Sequence, residues 1–200
     1  MWCDMVFRLK GRVIFFATNN INKFFEARRV LSEFKIAVGM LRAKSFEIQS
    51  DSLEEVAKAS VINTFHRCNL PIIVEDAGLF VDALKGFPGP YAAYVYRTIG
   101  NRGLLRLMEN VRNRRGRFES VIAYFSEEIR EPVCFCGTVL GKIALNERRK
   151  SFETGFGFDP LFIPSGSGKT FAEMSVEEKN RSSHRANAFR KFAQWCKTSA

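Results

Sequence analysis

Histidine is scarce in this chain of 200 residues: there are only His66 and His184, beside five cysteines at 3, 68, 134, 136 and 196, with no CxxC pair among them. Zinc sites draw on closely spaced Cys and His pairs, and disulfide frameworks on an even set of cysteines. Neither is supported, and the thiols fit a reducing compartment, the cytoplasm. Long apolar runs are missing too. No stretch approaches the roughly 18 apolar residues of a membrane span, and the opening ten residues carry Asp4 and lack the apolar core of a signal peptide. Acids are in deficit, 21 Asp and Glu against 31 Lys and Arg, so the net charge is +10. That balance favours polyanionic partners such as nucleotides or nucleic acid. There is no repeat and no low-complexity linker. A hydrophobic content of 46% supplies the core of one sizeable globular domain without metal or disulfide staples.

What is present reads as alternating strands and helices. Arg12 to Ala17 is a compact apolar strand, Thr18-Asn19-Asn20 a polar turn, and Ile21 to Phe34 a helix by its apolar spacing. Ile36 to Ile48 reads as extended structure interrupted around Gly39. Ser52-Leu53-Glu54-Glu55 is a capping box opening a helix that lasts to about Asn69. Pro71-Ile72-Ile73-Val74 is the next strand, ending in Glu75-Asp76-Ala77-Gly78. Gly86-Phe87-Pro88-Gly89-Pro90 is a rigid turn, and Leu104 to Val111 is helical. Phe118 to Phe125 and Val133 to Ala144 form a hairpin. Gly155 to Lys169 reads as loop, Ser175-Val176-Glu177-Glu178 as a second capping box, and Ser182 to Lys197 as a final helix. His66, inside a helix, reads as a core or cap residue.

Two segments have the character of phosphate binders. Ser165-Gly166-Ser167-Gly168-Lys169-Thr170 ends like a P-loop, but the first glycine of GxxxxGK[ST] would fall at Ile163 and no helix follows, which favours a surface turn over a P-loop kinase. Thr18 to Lys23 has the better context. A helix N-terminus presents free N–H groups and partial positive charge, Thr and Asn side chains add donors, and Lys23 adds a full charge. Glu26 lies one turn on and is placed to hold Lys23. Glu75 and Asp76 lie where ligands of open α/β sheets bind. In an extended strand they point to opposite faces, so they do not serve one metal ion together.

Five blocks in order resemble the inosine triphosphate pyrophosphatase family: Ala17 to Lys23, Val74 to Asp82, Gly86-Phe87-Pro88-Gly89, Gly155-Phe156-Gly157-Phe158-Asp159-Pro160, and Ala172 to Asn180 with Ser183-His184-Arg185 beyond. They span nearly the whole chain. The resemblance implies an α/β fold, an elongated mixed central sheet with flanking helices and two lobes around a nucleotide cleft. It gives a single domain over residues 12–200 behind an extension over residues 1–11. It implies a homodimer, with no membrane and no stable nucleic-acid partner, that needs Mg²⁺ and converts nonstandard purine nucleoside triphosphates to the monophosphate and pyrophosphate.

The resemblance also assigns roles. Asp76 is the general base and a Mg²⁺ ligand, and Glu47 is the second metal ligand. Thr18, Asn19, Asn20, Ile21, Asn22, Lys23, Ala77 and Lys179 bind phosphate. Phe156, Gly157, Phe158, Asp159, His184 and Arg185 receive the base, one ring stacking on the purine while the other packs in the wall, and His184 and Arg185 donating to O6. Lys23, Lys179 and Arg185 are expected to supply three positive charges to the substrate. Glu75 is left a supporting acid. Two residues depart from the family's habit: Ala77 stands where Ser is common, and Phe158 where Trp or Tyr is. The alternative is a basic nucleic-acid-binding protein without hydrolase activity, although the basic residues are spread along the chain and show no nucleic-acid-binding motif.

Overall fold

The computed structural model describes residues 13–43, 48–151 and 155–198. Strand β1 (Val13–Ala17) is followed by helix α1 (Ile21–Ser32), β2 (Ala37–Leu41) and α2 (Leu53–Cys68). A long β3 (Ile72–Val81) leads through a 3₁₀ turn to the short β4 (Pro88–Gly89), then to α3 (Ala92–Thr98) and α4 (Gly100–Leu107). The hairpin β5 (Arg115–Phe125) and β6 (Val133–Ile143) comes next. β7 (Phe162–Pro164), α5 (Val176–Asn180) and α6 (His184–Thr198) complete the chain.

The sheet order is β2-β1-β3-β5-β6-β7, with β4 on the side of β3. β1 runs parallel to β2 and β3, while β3, β5, β6 and β7 are successively antiparallel, so the sheet is mixed. At 10 and 11 residues, β3, β5 and β6 each run about 33–37 Å. They are long enough to serve two cores. At one end α1 and α6 pack on Phe16, Ile73 and Ile122. At the other Leu79, Val81 and Phe118 meet α3, α4, Phe162 and Phe171. Helix α2 covers Ile72, Val74 and Val121 on the opposite face. This is the expected α/β fold, drawn out along the sheet.

Several boundaries differ from the sequence reading. β3 does not end at Val74: it continues to Val81, because β5 pairs with it along its whole length. Gly39 does not interrupt β2; it registers opposite Phe15, whose ring fills the space a side chain would take. The 155–169 segment contains β7, which extends the sheet on β6. The Ser52 box is only half formed. Ser52 Oγ accepts from the Glu55 amide, while the Glu55 carboxylate accepts from Ser50. The Ser175 box is complete, and a further box, Thr170 with Glu173, caps a 3₁₀ turn where the sequence pattern shows no helix.

Candidate functional site

β1 stops at Ala17, and its register with β3 covers only Phe15 opposite Ile72 and Phe16 opposite Ile73. Glu75 and Asp76 are therefore midway along β3, yet just past the carboxyl end of β1. That is where a parallel sheet opens to ligands. A cavity of about 970 Å³ fills the opening. Thr18, Asn19, Asn20 and Lys23 line one side, Val74, Glu75 and Asp76 the floor, and Ser60 of α2 a wall. Residues Tyr91, Tyr94 and Arg97 face them from the α3 side.

The Thr18–Asn20 turn is held firmly. The Thr18 amide donates to Leu41 O (3.1 Å), the Asn20 amide to Thr18 Oγ1 (3.1 Å), and Asn19 Nδ2 to Ala43 O (3.1 Å). Asn20 caps α1 by accepting from the Asn22 and Lys23 amides at 3.0 and 3.2 Å. Those two donors are thus taken, and Ile21 keeps the N–H without an intrahelical acceptor.

Alternation along β3 separates the two acids. Asp76 shares the α2 face with Val74 and is half-buried at the cavity, whereas Glu75 is on the α1/α6 face and buried. Lys23 Nζ pairs with Glu75 at 2.9 Å, Arg185 Nε at 3.1 Å, and Ser120 Oγ donates to it at 2.6 Å. Arg185 also pairs with Glu26, which in turn pairs with Lys179 at 2.8 Å. Lys179 reaches Asp159 at 2.7 Å, and the Phe156 amide donates to the same Asp159 carboxylate at 3.0 Å. Burial alone would raise the Glu75 carboxyl, but Arg185 and Lys23 outweigh it and hold the group well below the usual carboxylate range. Burial likewise opposes ionisation of Glu26, and Lys179 with Arg185 overcomes it. For Lys179, Asp159 and Glu26 overcome the same penalty and raise its pKa.

This network corrects one expectation and qualifies another. Glu26 does not hold Lys23. It faces inward to satisfy the buried Lys179 and Arg185, while Lys23 reaches across to β3. The three cations are also not spare charge: Lys23, Lys179 and Arg185 are matched by Glu26, Glu75 and Asp159.

The base-side residues gather behind Glu75 rather than on the cavity wall. Phe156 is half-buried with Lys179 and Arg185 over its ring, at 4.7 and 5.3 Å from the centroid. Phe158 is core, edge-on to Tyr96. Gly157 between them takes φ +58. His184 is buried, stacked on Phe118 at 4.6 Å, and its Nδ1 has no partner. Burial, and then Arg185 and Lys179, push its pKa well down, so the ring is neutral. A bare Gly137 makes this arrangement possible, because a Cβ there would collide with His184 O at the start of α6.

Ile21 and Asn22 are exposed at the head of α1, and Ala77 is half-buried beside Asp76. Glu47 lies outside the described residues. Asp76 is an oxygen donor of the kind Mg²⁺ takes, and Mg²⁺ sites commonly use only one or two carboxylates. Among the described residues, no three His, Cys, Asp or Glu side chains converge as a metal cage. Lys169 of the P-loop-like segment pairs with Glu178 at 2.8 Å, and although β7 precedes the segment, only a three-residue 3₁₀ turn follows it, not the helix a P-loop requires. The sequence does not single out Ser120 or Arg97. Ser120 leaves a trace, as a polar residue in an apolar stripe between Phe118 and Ile122.

The Ham1 family model matches residues 14–195. A dITP/XTP pyrophosphatase of Methanopyrus kandleri is 48% identical over 184 residues, 92% of this chain and 96% of that protein. One of Ignicoccus hospitalis is 50% identical over 185 residues, 92% and 96% of the two chains. Among solved structures, the Ham1 protein of Staphylococcus aureus superposes with a TM-score of 0.79 at 28% identity, covering 94% of this chain and all of that one.

Proposed function

The chain belongs to the Ham1 family, and from that membership we propose that it is a nucleoside triphosphate pyrophosphatase. Its substrates are nonstandard purine nucleotides, the triphosphates of inosine, deoxyinosine and xanthosine, which it cuts to the monophosphate and pyrophosphate. The observation that carries this reading is the near-complete alignment, at close to half identity, with proteins named dITP/XTP pyrophosphatase. The cavity beyond β1, with a carboxylate on its floor and a helix N-terminus on its rim, is compatible with it.

In this reading Asp76 takes the proton from a water attacking phosphorus, while Lys23, Thr18 and the head of α1 orient the phosphates. Asp76 and Glu47 are the residues to hold Mg²⁺, which when bound offsets charge on the phosphate oxygens. His184 and Arg185 lie behind Glu75, off the cavity wall, so their part in discriminating against ATP requires a base that reaches past the cavity to them. There their donors match the O6 acceptor of hypoxanthine and leave a group unpaired against an adenine amino group, at about 1–3 kcal/mol. The enzyme acts in the cytoplasm as a homodimer. A nucleic-acid-binding role has no specific observation in its favour beyond charge.

Resolving the products of inosine triphosphate hydrolysis tests the proposal. Monophosphate and pyrophosphate are expected, and diphosphate with orthophosphate overturns the cleavage site. Asp76→Asn lowers kcat by about 10²–10⁴-fold, the usual contribution of a positioned general base, without lowering the melting temperature. An Asp76→Asn enzyme running at the wild-type rate excludes that role.

A further inference from the structure

A second cavity, about 560 Å³, lies on the sheet at the far ends of β5 and β6 beside β7. Its lining includes Arg115 and Lys142, which are direct cross-strand partners. Like charges placed opposite one another on an antiparallel pair repel. Neither side chain has an ion-pair partner among the described residues. Arg117, on the same face, is already engaged by Glu119 and by the Phe80 ring, 4.6 Å from its centroid. Asp82 is the one acid among the described lining residues.

The rim is Ser165-Gly166-Ser167, the first half of the P-loop-like segment. The Ser165 amide donates to Leu140 O at 2.9 Å, which fixes the turn against β6. Gly166 takes φ +79, a conformation that favours glycine, and a Cβ there would meet nothing within 4 Å. The second half of the segment turns away: Lys169 pairs with Glu178, and Thr170 Oγ1 donates to Arg148 O at 2.7 Å.

We propose that this cavity is a second anion site, taking a phosphate-bearing small molecule between Arg115 and Lys142. It is independent of the cleft beyond β1. The bound anion removes the repulsion between the two cations, and the volume is in the range that accepts a small ligand. Orthophosphate, pyrophosphate and a nucleoside monophosphate share the required chemistry.

Equilibrium dialysis of the full chain against each of these three labelled anions separates the sources. Wild-type protein is expected to bind one more equivalent per chain than the Arg115→Ser/Lys142→Ser double variant in at least one arm, with hydrolytic turnover unchanged. Loss in the pyrophosphate arm alone identifies a product-specific site, and loss in all three a general phosphate site. Lys142→Glu guards against misfolding. It turns the repulsion into an attraction, melts no lower than wild type, and also loses the extra equivalent. Equal stoichiometry and affinities within twofold across wild type and variants in every arm overturn the proposal. So does binding of an oligonucleotide at this face with none of the three small anions.

Discussion

Glu75 has two cationic neighbours, a hydroxyl donor and no solvent, and it joins the head of α1 to the start of α6 through β3. Removing one member of a buried ion pair leaves the others uncompensated and costs about 3–5 kcal/mol. Glu75→Gln should therefore lower the melting temperature by about 6–20 °C at neutral pH, since 1 kcal/mol moves a domain of this size by about 2–4 °C. The pH dependence has a definite sign. Because the folded carboxyl titrates below the unfolded one, its stabilisation is present above the usual carboxylate range and is lost as pH falls through the lower folded value. His184 acts in a separate window. Its folded pKa lies well below 6.5, so the unfolded chain takes up the proton first and stability declines as pH drops below about 6.5. His184→Phe should flatten the melting curve between pH 6.5 and 5, and Glu75→Gln should flatten it only at more acid pH. Melting profiles that coincide with wild type in both windows exclude these assignments.

Secondary elements were more legible than their ends. α1, α2, the β5–β6 hairpin and α6 follow from apolar period and capping chemistry, because those signals are local. The end of β3 is not local. Glu75 reads as a strand terminus, but its charge is cancelled by residues 52 and 110 positions away, and β5 supplies backbone partners as far as Val81. β7 is three residues among prolines and glycines, and only its pairing with β6 makes it a strand. At this scale the Ser175 cap tests how the site is positioned. α5 has five residues and carries Lys179 and Asn180, so its single box fixes the direction of the Lys179 side chain. Ser175→Ala should cost about 1 kcal/mol and weaken substrate binding more than kcat. Ser175→Asp, which restores a capping acceptor, should recover both. An alanine variant with unchanged KM would mean that Lys179 is held by its ion pairs alone.

Across the whole molecule, the order of the five blocks identifies the family, but it cannot show how charges pair once the chain is folded. Lys23, Lys179 and Arg185 look like three charges for a polyanion, whereas the fold matches each with a carboxylate drawn from α1, β3 or the 155–160 segment. Among the described cavity-lining residues this leaves Arg97, in the last turn of α3, as the cation without an ion-pair partner. It faces the head of α1 from the other side of the opening. A triphosphate between them meets a helix N-terminus on one wall and a guanidinium on the other. Arg97→Gln should therefore raise KM for the triphosphate by about tenfold, corresponding to about 1.4 kcal/mol, and leave kcat within about threefold. Arg97→Lys should keep most of the affinity. The loss should concentrate on the phosphates, so inhibition by pyrophosphate weakens in the glutamine variant while inhibition by the nucleoside alone does not. Raising ionic strength should increase KM for wild type more than for Arg97→Gln, because an exposed charge is screened and its absence cannot be. Parallel salt profiles for the two enzymes would show that the polyanion is balanced without Arg97.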